Sequence, residues 1–130
     1  MLYNMHYMEN TKLVEWILRI GVAGEFLGHG LLAVGGKKDW IGWIANMIHV
    51  DAATAGSLLL AIGILDVAAA IIILVKPVRP VLIWMAAWGF WTALVRPLVG
   101  LGWLDFIERF ANWAAPLALY YVLPGRRKKK

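Results

Sequence analysis

The chain has 130 residues, of which 62% are hydrophobic and 16% charged, and its mean hydropathy is +0.69. Soluble domains are about 45–50% apolar, and one this small could not bury so much apolar surface, so the composition predicts an integral membrane protein. The net charge of +5 does not indicate nucleic-acid binding, because the terminal run Arg126–Lys130 accounts for all of it. The absence of cysteine excludes thiol relays, disulfides and cysteine-ligated metal centres held by this chain.

Four segments are long and apolar enough to cross a bilayer as helices, which takes about 20 predominantly apolar residues. We predict spans over residues 12–34, 54–75, 78–99 and 104–123. Prolines separate the second span from the third, and glycines the third from the fourth, by turns so short that neighbouring helices must be antiparallel. The sequence therefore predicts an all-α fold, with one membrane domain over residues 1–130 arranged as an antiparallel four-helix bundle.

The longer first loop contains an amphipathic segment over about residues 40–49. Its apolar side chains recur at helical spacing on one face: Trp40, Trp43, Ile44, Met47 and Ile48. Because this segment is too short to span a bilayer and tryptophan favours the headgroup level, we predict a helix that lies in the membrane interface. A lid over a site between the spans is the alternative interpretation.

The distribution of basic residues predicts the orientation of the spans, because segments rich in Lys and Arg stay on the cytoplasmic side. This rule places the run Arg126–Lys130 in the cytoplasm, together with the second-to-third turn that carries Lys76 and Arg79. With four spans, both termini are then cytoplasmic, and the protein lies in the cell membrane with its predicted interfacial helix outside.

Ionisable side chains inside the spans are the strongest indication of function, because a charge at mid-membrane costs about 2.5–3.5 kcal/mol on insertion scales. Helical geometry puts those of the first and fourth spans on one face of each helix. We expect a polar interior that binds a ligand through Arg19, Asp66, Trp88, Thr92, Arg96, Glu108, Arg109 and Asn112. Our predicted charge pairs are Arg19 with Asp66, and Arg96 and Arg109 with Glu25 and Glu108.

Glu25 and His29 lie one helical turn apart on the polar face of the first span and form a candidate acid–base pair. A histidine whose hydrogen bonds are satisfied by a neighbouring helix is the alternative. A di-iron centre in a helical bundle needs repeated Glu-x-x-His motifs, whereas this chain has a single E-x-x-x-H. We therefore expect neither a metal site nor haem ligation by this chain alone.

The first-span stretch LRIGVAGEFLGHGLLAVGGKKDW resembles the DoxX-like family of small four-helix membrane proteins. The residues that carry this resemblance are Arg19, Phe26, His29 and Gly30. The third-span stretch WGFWTALVRPLVG, with Arg96 followed by proline, is similar to the same family. Many members have a glutamate near the middle of the second span, where this chain has Asp66. The resemblance implies a four-helix membrane fold in a family that includes the membrane subunit of a thiosulfate:quinone oxidoreductase.

These observations lead to the hypothesis of a charged pocket that binds a lipid-soluble ligand such as a quinone, in the membrane subunit of a redox complex. Glu25 and His29 would handle protons, and Arg96 and Arg109 would attract a quinone oxygen or an oxyanion. Two alternatives remain open: a non-enzymatic scaffold or assembly subunit, whose balanced charges only fix helix packing, and a proton or ion conduit. The expected partners are membrane lipid, other membrane or redox subunits, or further copies of this chain.

Overall fold

A computed structural model describes residues 1–125 of the protein, so the basic run Arg126–Lys130 lies outside the described residues. The described residues contain helices and no strand, which confirms the predicted all-α class. The helices are α1 (Leu2–Val34), α2 (Lys38–Ile48), α3 (Ala52–Val75), α4 (Arg79–Leu98), α5 (Trp103–Ile107) and α6 (Ala111–Val122).

Three of these helices, α1, α3 and α4, are long and apolar enough to cross a membrane. They correspond to the first three predicted spans, although α1 begins ten residues earlier because no glycine or proline interrupts the chain there. The segment α2 covers the helix predicted over about residues 40–49. That it lies in the membrane interface remains a prediction.

The fourth predicted span, over residues 104–123, is not a single helix. The longer of its two pieces, α6, has 12 residues and a length of about 18 Å, against about 30 Å for the hydrocarbon core of a bilayer. The helix is interrupted because the Arg109 side chain donates to the Asp105 carbonyl at 2.9 Å, where an α-helix would place the amide of residue 109. That amide bonds instead to the Phe106 carbonyl at 3.2 Å. A four-helix membrane bundle therefore remains a prediction.

The helices pack in a spatial order that differs from their order in the chain. The principal contacts are those of α3 with α1, of α1 with α6 and of α6 with α4, while α2 lies against α3 and α5 against α4. The helices α3 and α4 follow one another in sequence but touch at few points. The arrangement is therefore α3–α1–α6–α4, with a gap between its two outer members.

The main apolar core lies near the end of the bundle where α3 ends and α4 begins. Buried side chains of α1, α3, α4 and the segment around α6 meet there, chiefly Val22, Phe26, Ile73, Leu82, Met85 and Leu119. Nearby, Arg19 donates from Nε to the Ile73 carbonyl at 2.9 Å and from a terminal nitrogen to the Leu74 carbonyl at 2.6 Å. Because Pro77 has no N–H, the Ile73 carbonyl lacks an intrahelical donor, and Arg19 supplies one.

Towards the opposite end, α1 and α3 approach each other backbone to backbone at Gly30 and Gly63. A Cβ atom at Gly30 would lie 2.9 Å from the Gly63 carbonyl oxygen, and one at Gly63 would lie 2.8 Å from the Gly30 carbonyl oxygen. In lipid, contact between helices does not remove apolar side chains from water, so no hydrophobic force drives it. Small residues at the contact instead allow the two backbones to pack closely. This contact holds α3 against α1 and leaves the gap on the α4 side.

Candidate functional site

A cavity of about 110 Å³ occupies the gap between α3 and α4, with α1 and α2 completing its wall. Four tryptophans line it, two from α2 and two from α4: Trp40, Trp43, Trp88 and Trp91. Four polar residues share the same cavity, namely His29, Asp66, Thr92 and Arg96. The remaining lining is aliphatic. The cavity is thus a mostly apolar space, lined by flat aromatic rings, with a few polar groups turned into it.

Five of the predicted site residues line this cavity: His29, Asp66, Trp88, Thr92 and Arg96. They come from three different helices, α1, α3 and α4, and none comes from the fourth predicted span. The other five predicted residues are not among those that line it: Arg19, Glu25, Glu108, Arg109 and Asn112. Their part in a site remains a prediction.

Arg96 is only 9% exposed, although it carries a permanent charge. Its buried Nε has no hydrogen-bond partner, and no carboxylate in residues 1–125 forms an ion pair with it. Its guanidinium carbon lies 4.8 Å from the ring centroid of Trp43 and 5.9 Å from that of Trp40. The two indoles stabilise the cation through their π faces, but they provide no hydrogen-bond acceptor.

Asp66 is the second buried charge of the cavity and is 5% exposed. It lies within α3, about 21 Å along the helix from Ala52. None of the described cations forms an ion pair with it. The cavity therefore contains one acidic and one basic group that are both buried and are not paired with each other.

His29 lines the cavity and meets Trp40 edge to face, with 5.7 Å between the ring centroids. Glu25 is half-buried one turn earlier on α1. Within the described part of the chain, no hydrogen bond or ion pair joins the two side chains. The acid–base pair thus remains a prediction, although His29 itself is placed where a ligand could reach it.

The predicted pairing of Arg19 with Asp66 is wrong. Arg19 bonds to the carbonyls at the end of α3 and lies 3.5 Å from the Glu15 carboxylate, one turn earlier on α1. The sequence did not reveal this role, because the demand for a donor arises from the proline that follows α3 rather than from any acidic residue. Arg19 therefore joins α1 to α3 and does not contribute to the cavity.

The sequence predicted that Arg96 and Arg109 pair with Glu25 and Glu108, and the structure shows Arg109 paired with Glu108. Arg109 also lies 3.8 Å from Asp105. These three residues belong to the segment that interrupts the fourth predicted span. Within residues 1–125, Arg96 forms an ion pair with neither Glu25 nor Glu108, so that part of the predicted pairing is wrong. The charges of this segment are satisfied locally, in contrast to those in the cavity.

The site prediction missed Trp40 and Trp43. Their helical spacing with Ile44 predicts an apolar helix face, but the spacing alone does not distinguish contact with the membrane interface from contact with a cavity. All three side chains line the cavity. Their positions agree with the alternative interpretation of α2 as a lid.

Within residues 1–125, no three His, Asp or Glu side chains come together in a way that could hold a metal ion. Comparisons of the chain with protein-family models, curated proteins and solved structures found no match. The resemblance to the DoxX-like family consequently remains a prediction.

Proposed function

We propose that this protein binds a small, lipid-soluble ring compound, such as a quinone, in the cavity between α3 and α4. The observation that carries the proposal is the combination of four tryptophan rings with two buried donors that have no hydrogen-bond partner, Arg96 Nε and Trp40 Nε1, on residues that line a single space. Buried polar groups are normally paired, so two donors without partners beside one cavity point to a ligand that provides acceptors.

The size and lining of the cavity favour a flat ring. Engineered apolar cavities of about 150 Å³ bind benzene, so a cavity of about 110 Å³ that is partly open suits one ring with a protruding substituent. Trp88 and Trp91 provide aromatic faces for stacking. His29 and Thr92 provide neutral polar groups that could bond to ring oxygens.

The route of entry supports a ligand that dissolves in lipid. The cavity lies where α3 and α4 are separated, between two helices of the proposed membrane bundle. Both helices that border this gap are long and apolar enough to cross a membrane. A ligand in the bilayer could therefore enter sideways without passing through water.

The resemblance to the DoxX-like family suggests the wider role of a membrane subunit in a redox complex. Since the chain contains no cysteine, we propose that electrons come from a partner subunit, while this chain binds and positions the ring. In the same proposal, the chain forms a four-helix bundle in the cell membrane, in which α5 and α6 together complete the fourth crossing.

Quenching of tryptophan fluorescence by menadione, a quinone with a short substituent, tests the proposal on purified protein in lipid nanodiscs. Thr92→Trp adds a bulky ring inside the cavity, whereas Ser57→Trp adds the same ring at an exposed position of α3. We expect saturable quenching in the wild type and in Ser57→Trp, and its loss in Thr92→Trp. Linear, unsaturable quenching that is equal in all three proteins would contradict a specific site.

A scaffold or assembly subunit is the second candidate. It is favoured by the observation that Arg19 and Arg109, two of the predicted interior charges, are fully engaged in holding helices and turns of this chain. The partner would be another membrane subunit or further copies of the chain. Absence of saturable menadione binding, together with unchanged folding of Thr92→Trp, would favour this candidate.

A further inference from the structure

Two buried hydrogen-bond donors, on two residues that line the cavity, have no acceptor. The Nε of Arg96 and the Nε1 of Trp40 are both buried, and neither has a partner. They come from different helices, α4 and α2, and both residues line the same cavity. A buried donor that has no acceptor is destabilising, and a charged donor more so. Two unsatisfied donors around one space therefore favour a ligand that brings acceptors.

Within residues 1–125, the carboxylates near Arg96 are engaged with Arg109 or lie too far away to pair with it. Asp105 and Glu108 are paired with Arg109. Asp66 lines the cavity, but it is farther from the guanidinium of Arg96 than the 4.0 Å of an ion pair. The aromatic faces around Arg96 stabilise its charge without accepting its N–H groups. The Arg96 guanidinium is thus buried beside two indole rings that stabilise its charge, but it is not paired with any of these carboxylates.

We infer that the natural ligand of this cavity is a ring compound with a negatively charged oxygen group, of the aryl carboxylate class, which binds Arg96 and Trp40. The inference rests on the proposed ring-binding function and narrows its ligand class from a neutral quinone to an anion. A carboxylate presents two oxygens in one plane, which matches the two-pronged donor geometry of a guanidinium. It also neutralises a buried charge, which a neutral carbonyl oxygen does not do.

The test compares benzoate with benzamide, because the two have nearly the same shape and differ in charge. Binding is measured by isothermal titration to the full-length protein in nanodiscs of phosphatidylcholine. Hydrogen bonds to charged groups contribute about 1.5–3 kcal/mol, so we expect benzoate to bind about tenfold more tightly than benzamide, or better. Equal affinities would overturn the inference and leave the proposed ring site intact, whereas binding of neither ring would overturn both.

Three variants test which residues cause the preference for benzoate over benzamide. Arg96→Gln should abolish the preference for benzoate, whereas Lys38→Gln removes an exposed charge of α2 that does not line the cavity and should preserve it. Trp40→Phe keeps an aromatic ring and removes only the N–H, so it should weaken benzoate binding severalfold and leave benzamide binding unchanged. This variant keeps the inference testable if Arg96→Gln fails to fold. An unchanged preference in Trp40→Phe and Arg96→Gln would overturn the assignment.

A lipid phosphate is the other source of a negatively charged oxygen group. Nanodiscs that contain phosphatidylglycerol provide that headgroup at high local concentration, and phenyl phosphate provides the same chemistry on a ring. We expect benzoate affinity to be similar in nanodiscs with and without phosphatidylglycerol. Loss of benzoate binding in phosphatidylglycerol, with tight binding of phenyl phosphate, would assign the site to a lipid headgroup and overturn the aryl carboxylate.

Discussion

The carbonyl group of Asn112 in α6 lies directly against Gly89 of α4, so close that a Cβ atom at residue 89 would be 2.8 Å from the carbonyl carbon. In a regular α-helix this carbonyl would accept a hydrogen bond from residue 116, but Pro116 has no N–H. The proline thus frees the carbonyl, and the absence of a side chain at Gly89 allows α4 to pack on it. This contact fixes the position of α4 within the part of the helix that lines the cavity.

We predict that Gly89→Ala destabilises the protein by about 1–3 kcal/mol, the usual cost of adding a methyl group to a tightly packed contact. The matched control is Gly24→Ala, because a Cβ atom there meets nothing within 4 Å. Gly24→Ala should be neutral or slightly stabilising, since alanine favours the helix more than glycine does. Unfolding in mixed micelles with increasing SDS measures both. Equal stability of the two variants would show that α4 and α6 do not pack at Gly89.

Arg19 and Pro77 should be coupled in stability, because Arg19 donates to the carbonyl that Pro77 leaves without a donor. We predict that Arg19→Met is strongly destabilising, since it leaves two carbonyls at the end of α3 without a partner. Pro77→Ala restores an amide that can bond to Ile73. The loss caused by Arg19→Met should therefore be smaller in the Pro77→Ala background, with a coupling energy of about 0.5–3 kcal/mol.

The double-mutant cycle is measured by the same SDS unfolding of the four proteins. The exposed Lys12 of the same helix gives the control: Lys12→Met should lose little stability, and its effect should be the same with either residue at position 77. Additive effects of Arg19→Met and Pro77→Ala would mean that Arg19 does not replace the missing donor.

The long helices could be predicted from the sequence because hydropathy and length alone decide them. The bounds of α3 and α4 differ from the predicted spans by at most two residues at either end. The break in the fourth span could not be predicted in this way, since it depends on the Arg109 side chain bonding to the carbonyl of Asp105. Hydropathy does not register a competition between a side chain and the backbone for one acceptor.

Only part of the cavity lining could be predicted from the sequence, because helical periodicity, like hydropathy, does not show what each side chain contacts. Periodicity identifies which face of a helix is polar, and it correctly brought His29, Asp66 and Arg96 together. Periodicity does not show which charged side chains bond to backbone groups of another helix, as Arg19 of α1 bonds to the Leu74 carbonyl of α3. Nor does it distinguish tryptophans that face the membrane interface from those that face a cavity, which is why Trp40 was missed.

The Asp51 side chain leads to a prediction about how the stability of the fold depends on pH. Its side chain accepts a hydrogen bond from the Thr54 backbone N–H at 2.6 Å and caps α3, and this bond holds the pKa of Asp51 below its ordinary value of 3.8. A carboxyl group whose pKa is lower in the folded state stabilises the fold above its ordinary pKa, and this contribution is lost as the pH falls through the folded value.

Asp51→Asn keeps a capping oxygen at every pH but removes the titration. We therefore expect the melting temperature of the wild type to fall more than that of Asp51→Asn as the pH is lowered from about 6 to about 3. At neutral pH, the two proteins should differ little. Melting is followed by circular dichroism in detergent. The same pH dependence in both proteins would mean that the ionised cap does not stabilise α3.

Membrane topology provides the last prediction, and the cysteine-free chain makes it simple to test. We introduce single cysteines at four exposed positions: Asn4 in the first turn of α1, Lys38 at the start of α2, and Gly102 and Gly125 before α5 and after α6. Because Lys76, Arg79 and the terminal basic run favour the cytoplasm, the cysteines at Lys38 and Gly102 should react with a membrane-impermeant maleimide on intact cells. Those at Asn4 and Gly125 should react only after lysis.

The cysteine at Gly125 decides whether α5 and α6 together cross the bilayer. If they do, four crossings return the chain to the side of the N-terminus, and Asn4→Cys and Gly125→Cys are labelled alike. If the break around Arg109 keeps this segment on the outer side, Gly125→Cys is labelled on intact cells together with Gly102→Cys. We expect the first result, because α6 packs along α4 and α1 in the described structure and those helices are long enough to span. The second result would reduce the membrane domain to three crossings and place the C-terminus outside.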